Sequence, residues 1–364
     1  LSKYYPTLSL DPPNNKKEWP NYISKIKSIM KEVSGAIGWF AGWHTLPLVY
    51  YAKKYKKASI IIVGGYDAVS FPEIGYGAFS NFKEKVPATY VLKNADVLLP
   101  VSHYLRREII KNAGVRGDNI FPLPTGYDFE FWKPNGKKDN IVLTVAGARD
   151  LRRVKVKGLD TFVKAARYVP EAKFIVIGVE GEARRYLEKL APENVELIGY
   201  IPNKELLPYY QRAKVYAQLS ISEGLPNVAC EAMLAGDIPV GTRRGGIPEA
   251  IGNTGFYVPY GDVQASAEAI KRALQSPEEL GLKARARIMQ LYPQQRREEA
   301  LINIINIAVL MKYSSILQKS VPATELNVDI AQSPSSSLEI TIDMGKRSPS
   351  LCLADENIIK QQRP

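Results

Sequence analysis

The chain has 364 residues, about the length of two domains. With 45% apolar and 24% charged residues it has the composition of a folded globular protein, which excludes wholesale disorder and a collagen-like fibre. Two cysteines and two histidines are too few for a disulfide framework or a multi-histidine metal centre. The net charge is +12, and residues 1–127 carry 17 Lys/Arg against 9 Asp/Glu, so the excess lies in the first third, including Lys53, Lys54, Lys56 and Lys57 around Tyr55. Such a face attracts phosphates or an anionic membrane surface. No nucleic-acid reader motif accompanies it.

Tyr22, Ile23, Ile26, Ile29, Met30 and Val33 mark a first helical stripe. The longest uncharged stretch, Val33–Ala52, is long enough to span a bilayer. Its glycines and Pro47 make it read instead as a strand, a turn and a helix over Thr45–Lys54. Strands are predicted at Ser59–Val63, Asp96–Pro100 and Asn119–Leu123, with a helix at Tyr104–Asn112. A second series follows: Ile141–Val145, a helix at Leu159–Tyr168, then Lys173–Gly178, Val195–Ile198, Val215–Leu219, Ile238–Gly241 and Phe256–Val258. Apolar strands alternating with helices imply parallel sheets covered on both faces. The expected organisation is α/β, with two Rossmann-like doubly wound domains over 1–132 and 141–292 and a linker at 133–140. A helix at 293–313 packs back on the body, and a Ser-, Pro- and Gln-rich tail at 314–364 is expected to be disordered.

The segment Ser222–Gly236 carries the most chemistry. Pro226 suits the first turn of a helix and Gly236 its end, so backbone amides near Gly224, Leu225 and Asn227 lie where a phosphate or sugar oxygen is favoured. Glu231 sits among Val228, Ala229, Cys230, Ala232 and Met233, where a carboxylate needs a partner; a sugar diol offers two donors. Taken singly, Glu223 also reads as a capping carboxylate and Glu231 as an exposed helical one.

Together, this segment resembles the E-x7-E motif of retaining, nucleotide-sugar-dependent glycosyltransferases of GT-B architecture, family 4, also called glycosyl transferases group 1. The likeness extends through Gly245-Gly246-Ile247-Pro248-Glu249, Lys157-Gly158-Leu159-Asp160, Gly199–Pro202 and Pro124–Asp128. It implies transfer of a hexosyl group from a UDP- or GDP-sugar to a glycan or lipid-linked acceptor, with retention of configuration and neither cofactor nor metal. By matching position, Glu223 would contact the donor sugar and Glu231 the ribose diol, while Lys157 would neutralise the diphosphate with help from Arg149. Arg152 and Arg153 are rivals to Arg149, and Arg152 is placed with the donor-binding group. Trp43-His44-Thr45 resembles a segment of the starch and glycogen synthase branch, which brings His44 toward the cleft as a candidate catalytic residue. Gly64 stands where many relatives carry a histidine.

Relatives begin with a strand and a glycine-rich loop, followed by another strand–helix pair; no such opening element precedes Leu1, and only about fifty-five residues stand before the Ser59 strand, so the first domain is expected to be incomplete. The alternatives are a chain that binds nucleotide sugar without catalysis, and an epimerase or hydrolase of the same fold. The expected setting is cytoplasmic and peripheral to the inner face of the cell membrane.

Overall fold

The computed structural model describes residues 1–320, 327–332 and 338–343. The chain forms two units, residues 1–309 and 310–364.

Within the first unit, helix α1 (Trp19–Glu32) opens with Pro20 in its first turn and buries Tyr22, Ile26 and Met30 at four-residue spacing. These residues share a small core with Ala52 of α2 (Leu46–Lys54). The uncharged stretch thus forms strand β1 (Gly35–Trp39), a turn and α2. Strand β2 (Ala58–Val63) is wholly buried. Helix α3 (Phe82–Asn94), strand β3 (Val97–Pro100) and helix α4 (His103–Ala113) complete a three-stranded parallel sheet ordered β1-β2-β3. The strand expected at Asn119–Leu123 is reduced to an extended segment along β3. Phe121 N donates to Leu98 O and Leu123 N to Pro100 O, with a single bridge at Ile120. Pro122 and Pro124 have no N–H to give, which stops the ladder there.

The second sheet is parallel and six-stranded, built from β4 (Asp139–Ala148), β5 (Lys173–Val179), β6 (Val195–Ile198), β7 (Ala213–Gln218), β8 (Ile238–Thr242) and β9 (Phe256–Val258). Its order is β6-β5-β4-β7-β8-β9. Helices α5 (Leu151–Lys157), α6 (Leu159–Ala165), α7 (Gly181–Glu188), α8 (Leu207–Arg212), α9 (Asn227–Leu234), α10 (Ile247–Ile251), α11 (Val263–Gln275) and α12 (Glu279–Leu291) surround it. On one face Val142, Val176, Val215 and Val240 are fully buried with Phe162 and Phe174, whose rings meet edge-on at 5.1 Å. Such pairs contribute about 1 kcal/mol beyond their burial.

Between the sheets, the 133–140 segment is anchored at its end. Lys138 Nζ donates to Tyr210 O, Ala235 O and Asp237 Oδ1 at 2.6–2.7 Å, and β4 already begins at Asp139. Helix α13 runs Gln294–Ser320, past the expected end at 313, because no helix breaker occurs before Pro322. Its Leu301, Ile304, Ile305 and Ala308 pack on the core of the first unit.

In the second unit, strands β10 (Asn327–Gln332) and β11 (Leu338–Asp343) pair antiparallel. Their alternating β-branched residues favour that state over the disorder expected for 314–364. The rest of that expected tail lies outside the described residues. Among the described residues, no helix is long and apolar enough to cross a membrane.

Candidate active site

The loop after β7 carries Glu223, and the end of α5 brings Lys157 to it. Gly158 has φ +65°, and an added Cβ would lie 2.2 Å from Leu219 O. Only glycine permits this crossing, which is fastened by Ile221 N donating to Val156 O at 2.9 Å. Lys157 Nζ then reaches Glu223 Oε1 at 2.6 Å, with the two side chains 16% and 14% exposed. The same oxygen accepts from Ser220 Oγ at 2.7 Å and Gln218 Nε2 at 3.1 Å.

Glu231 lies within α9, buried rather than exposed. Asn203 Nδ2 donates to its two oxygens at 3.1 and 3.2 Å, and Tyr210 OH donates to Oε2 at 3.3 Å. Burial pushes its carboxyl up to about 7, against the opposing pull of those hydrogen bonds. Asn203 and Tyr210 are partners that motif reading alone did not identify. Gly224 and Leu225 are buried at the start of this segment. Asn227 opens α9 and accepts from Tyr127 OH at 2.8 Å through its side chain. Pro226 gives the helix no side-chain cap, so the amides of Asn227 and Val228 face outward at its positive end.

The arginines part company. Arg149 is 82% exposed and pairs with Glu180 at 2.9 Å, so the structure does not bring it to Lys157. Arg152 Nη1 reaches across to Gly75 O at 3.3 Å. Arg153 faces Tyr76, a residue of the first sheet's loops that sequence reasoning missed. Burial and the neighbouring Glu223 carboxylate push the Tyr76 phenol up to about 12, opposed by Arg153. The glycines flanking it, Gly75 and Gly77, both with positive φ, were the available signal.

His44 does not join this group. Its Nε2 donates to Trp39 O at 2.7 Å, and its own carbonyl accepts from Tyr22 OH at 2.9 Å. These contacts make it a clasp for the turn between β1 and α2. The first sheet reaches the site through backbone instead. A Cβ on Gly224 would lie 2.1 Å from Gly64 O, so the two loops touch main chain to main chain. Nearby, Glu249 accepts from His103 N at 2.9 Å and Tyr104 N at 2.6 Å, capping α4 across the cleft. Among the described residues, no three His, Cys, Asp or Glu side chains are grouped to hold a metal ion.

Residues 140–276, which contain Lys157, Glu223 and Glu231, match the model of the family Glycosyl transferases group 1. The chain is 24% identical over 182 residues to the GPI3 component of phosphatidylinositol N-acetylglucosaminyltransferase from Saccharomyces cerevisiae, covering 45% of this chain and 39% of that protein. It is 25% identical over 219 residues to an MMP alpha-(1->4)-mannosyltransferase of Mycolicibacterium hassiacum, covering 56% and 52%. The chain spans about half the length, or less, of these curated relatives. Among solved structures, sucrose-phosphate synthase from Thermosynechococcus elongatus superposes with a TM-score of 0.67 at 19% identity, covering 84% of this chain and 81% of that one. Anabaena HepE in complex with UDP gives 0.65 at 16% identity, covering 78% and 81%. The chain therefore has the GT-B fold, and its residues 140–276 are similar to the family Glycosyl transferases group 1.

Proposed function

We propose that this protein is a retaining glycosyltransferase that moves a hexosyl group from a nucleoside diphosphate sugar to a hydroxyl of a glycan or lipid-linked acceptor. The observation that carries this reading is the Lys157–Glu223 pair at 2.6 Å beside the uncapped start of α9, with a second, buried carboxylate eight residues on at Glu231. A cation and free helix amides suit a diphosphate, while carboxylates suit sugar hydroxyls. The HepE structures in complex with UDP and with UDP-glucose favour a UDP-sugar as donor.

In this reading, the bond from the anomeric carbon to the phosphate oxygen breaks as the acceptor oxygen bonds to the same face. The departing phosphate takes the acceptor's proton. Lys157 and Arg153 stabilise the charge that develops on the diphosphate, the kind of electrostatic assistance that preorganised cations provide. Glu223 orients the sugar and Glu231 the ribose, displacing Asn203.

Calorimetric titration with UDP, GDP and ADP tests the binding half of this proposal. One nucleotide is expected to bind, and Glu231→Ala is expected to weaken it at least about tenfold, as loss of hydrogen bonds to a charged group does. Binding that Glu231→Ala leaves intact would overturn the assignment of the ribose contact. Donor turnover with an acceptor panel, followed by the anomeric configuration of the product, tests transfer and retention; an inverted product would overturn the mechanism.

A further inference from the structure

All three donors to the Glu223 carboxylate reach the same oxygen. Oε1 accepts from Lys157, Ser220 and Gln218, whereas Oε2 has no partner among the described residues. Two of those donors are buried side chains at the end of β7, with Gln218 3% exposed and Ser220 fully buried. Gln218 Nε2 also donates to Ser220 Oγ at 2.8 Å, and Thr242 Oγ1 ties down Ser220 O at 2.6 Å. Behind them, the buried Tyr216 hydroxyl accepts from Val145 N at 3.2 Å and lies 3.5 Å from Gln218 Oε1.

Tyr216, Gln218 and Ser220 alternate with Val215, Ala217 and Leu219, so one side of the strand and its extension is a polar line that ends on Glu223. The other side is ordinary apolar core. An apolar residue at 218 would fill the interior at lower desolvation cost, and the buried amide finds its partners in Ser220 and Glu223.

We propose that Gln218 and Ser220 are positioning residues for Glu223. They fix Oε1 so that Oε2 is held toward a hydroxyl of the donor sugar. This inference rests on the reading of Glu223 as the sugar contact. Lys157 has a second task at the diphosphate, and Gln218 and Ser220 keep the carboxylate in place when the ammonium serves the phosphate. Their effect therefore falls on the sugar and not on the nucleotide.

The test uses Gln218→Met and Ser220→Ala, which retain most of the volume and remove the donors, with Glu223→Ala as reference and Tm confirming the fold of each. Kd is measured by calorimetry for UDP, GDP, UDP-glucose, UDP-N-acetylglucosamine, UDP-galactose and GDP-mannose. Turnover is followed as release of the nucleoside diphosphate. Each variant is expected to leave the Kd of the free nucleotide within about twofold and to lower turnover about tenfold. The advantage of the nucleotide sugar over the free nucleotide should fall with it. The double variant should be no worse than Glu223→Ala, since all three act through one carboxylate.

Wild-type turnover in both single variants, with Glu223→Ala inactive, would overturn the positioning role and leave the site reading standing. An equal loss of nucleotide and nucleotide-sugar affinity would mark the two residues as merely structural. Full activity in Glu223→Ala, or no nucleotide binding by the wild-type chain, would overturn the site reading and this inference with it.

Discussion

The two sheets approach the Glu223 loop with opposite chemistry. From the six-stranded side come partly or wholly buried charges, Lys157, Glu223 and Glu231, each held by named partners. From the three-stranded side come backbone and rings: the carbonyls of Gly64 and Gly75, and the phenol of Tyr76. The buried carboxylate on that side, Asp67, spends both oxygens on its own loops, accepting from Gly65 N at 2.8 Å and Ala41 N at 2.9 Å. The second sheet therefore supplies the charged side chains of the candidate site, and the first supplies a shaped wall against them.

Substitutions on the two sides should differ most in turnover. Lys157→Met is expected to lower it about 100- to 1,000-fold, the usual effect of removing a preorganised charge stabiliser. His44→Ala, which loosens a turn on the other side, should cost less than about threefold. The measurement is release of nucleoside diphosphate at saturating donor, alongside Tm. A His44→Ala loss as large as that of Lys157→Met would break the comparison and return the imidazole to the chemistry.

The division also explains what could be read from sequence. Strands of the second sheet were legible because buried parallel strands are short apolar runs, and the candidate pair Glu223 and Glu231 because they stand at fixed spacing on one loop and one helix. The partners of Glu231 were not legible: Asn203 and Tyr210 lie 28 and 21 residues away and are joined to it only by the fold. For His44 the sequence did not show the bond to Trp39 O, because a histidine beside tryptophans has the same letters whether it faces a cleft or clasps a carbonyl. Arg149, Arg152 and Arg153 fall on one short turn around α5, and their directions are set by Glu180, Gly75 and Tyr76 on other elements. Asn119–Leu123 was read as a full strand because its apolar run outweighed Pro122 within it and Pro124 just after it.

The comparison sharpens with pH. Burial raises the Glu231 carboxyl to about 7, so between pH 6 and 8 it passes from mostly neutral to mostly ionised. The ionised form accepts both ribose hydroxyls, and affinity for a nucleotide sugar should rise up to about tenfold over that range. A nucleotide sugar is the right probe because, unlike free UDP, it does not itself titrate there. Stability moves the other way. A carboxyl whose folded pKa exceeds its unfolded value binds more protons when folded, so stability falls as pH rises from the ordinary value of 4.5 through 7. Glu231→Gln should therefore be pH-insensitive in binding. It should gain stability over wild type at pH 8, of the order of 3 kcal/mol, and little at pH 4. Affinity and stability that stay flat with pH in the wild type would show that Glu231 titrates as an exposed carboxylate.

The smallest expected difference lies among the arginines. Arg149 is largely exposed, and its pairing with Glu180 is a surface ion pair of the kind that contributes about 0–1 kcal/mol. Arg153 meets Tyr76 where that phenol also senses Glu223. Its guanidinium thus stands on the seam between charged side and wall. Arg153→Ala should weaken nucleotide binding about three- to tenfold, and Arg149→Ala less than twofold, as expected for losing a charge-assisted contact and a solvated one respectively. Calorimetry on the two single variants decides between them. If Arg149→Ala proves the more damaging, the turn around α5 rearranges when nucleotide binds, and the boundary between charge and wall belongs to the free protein alone.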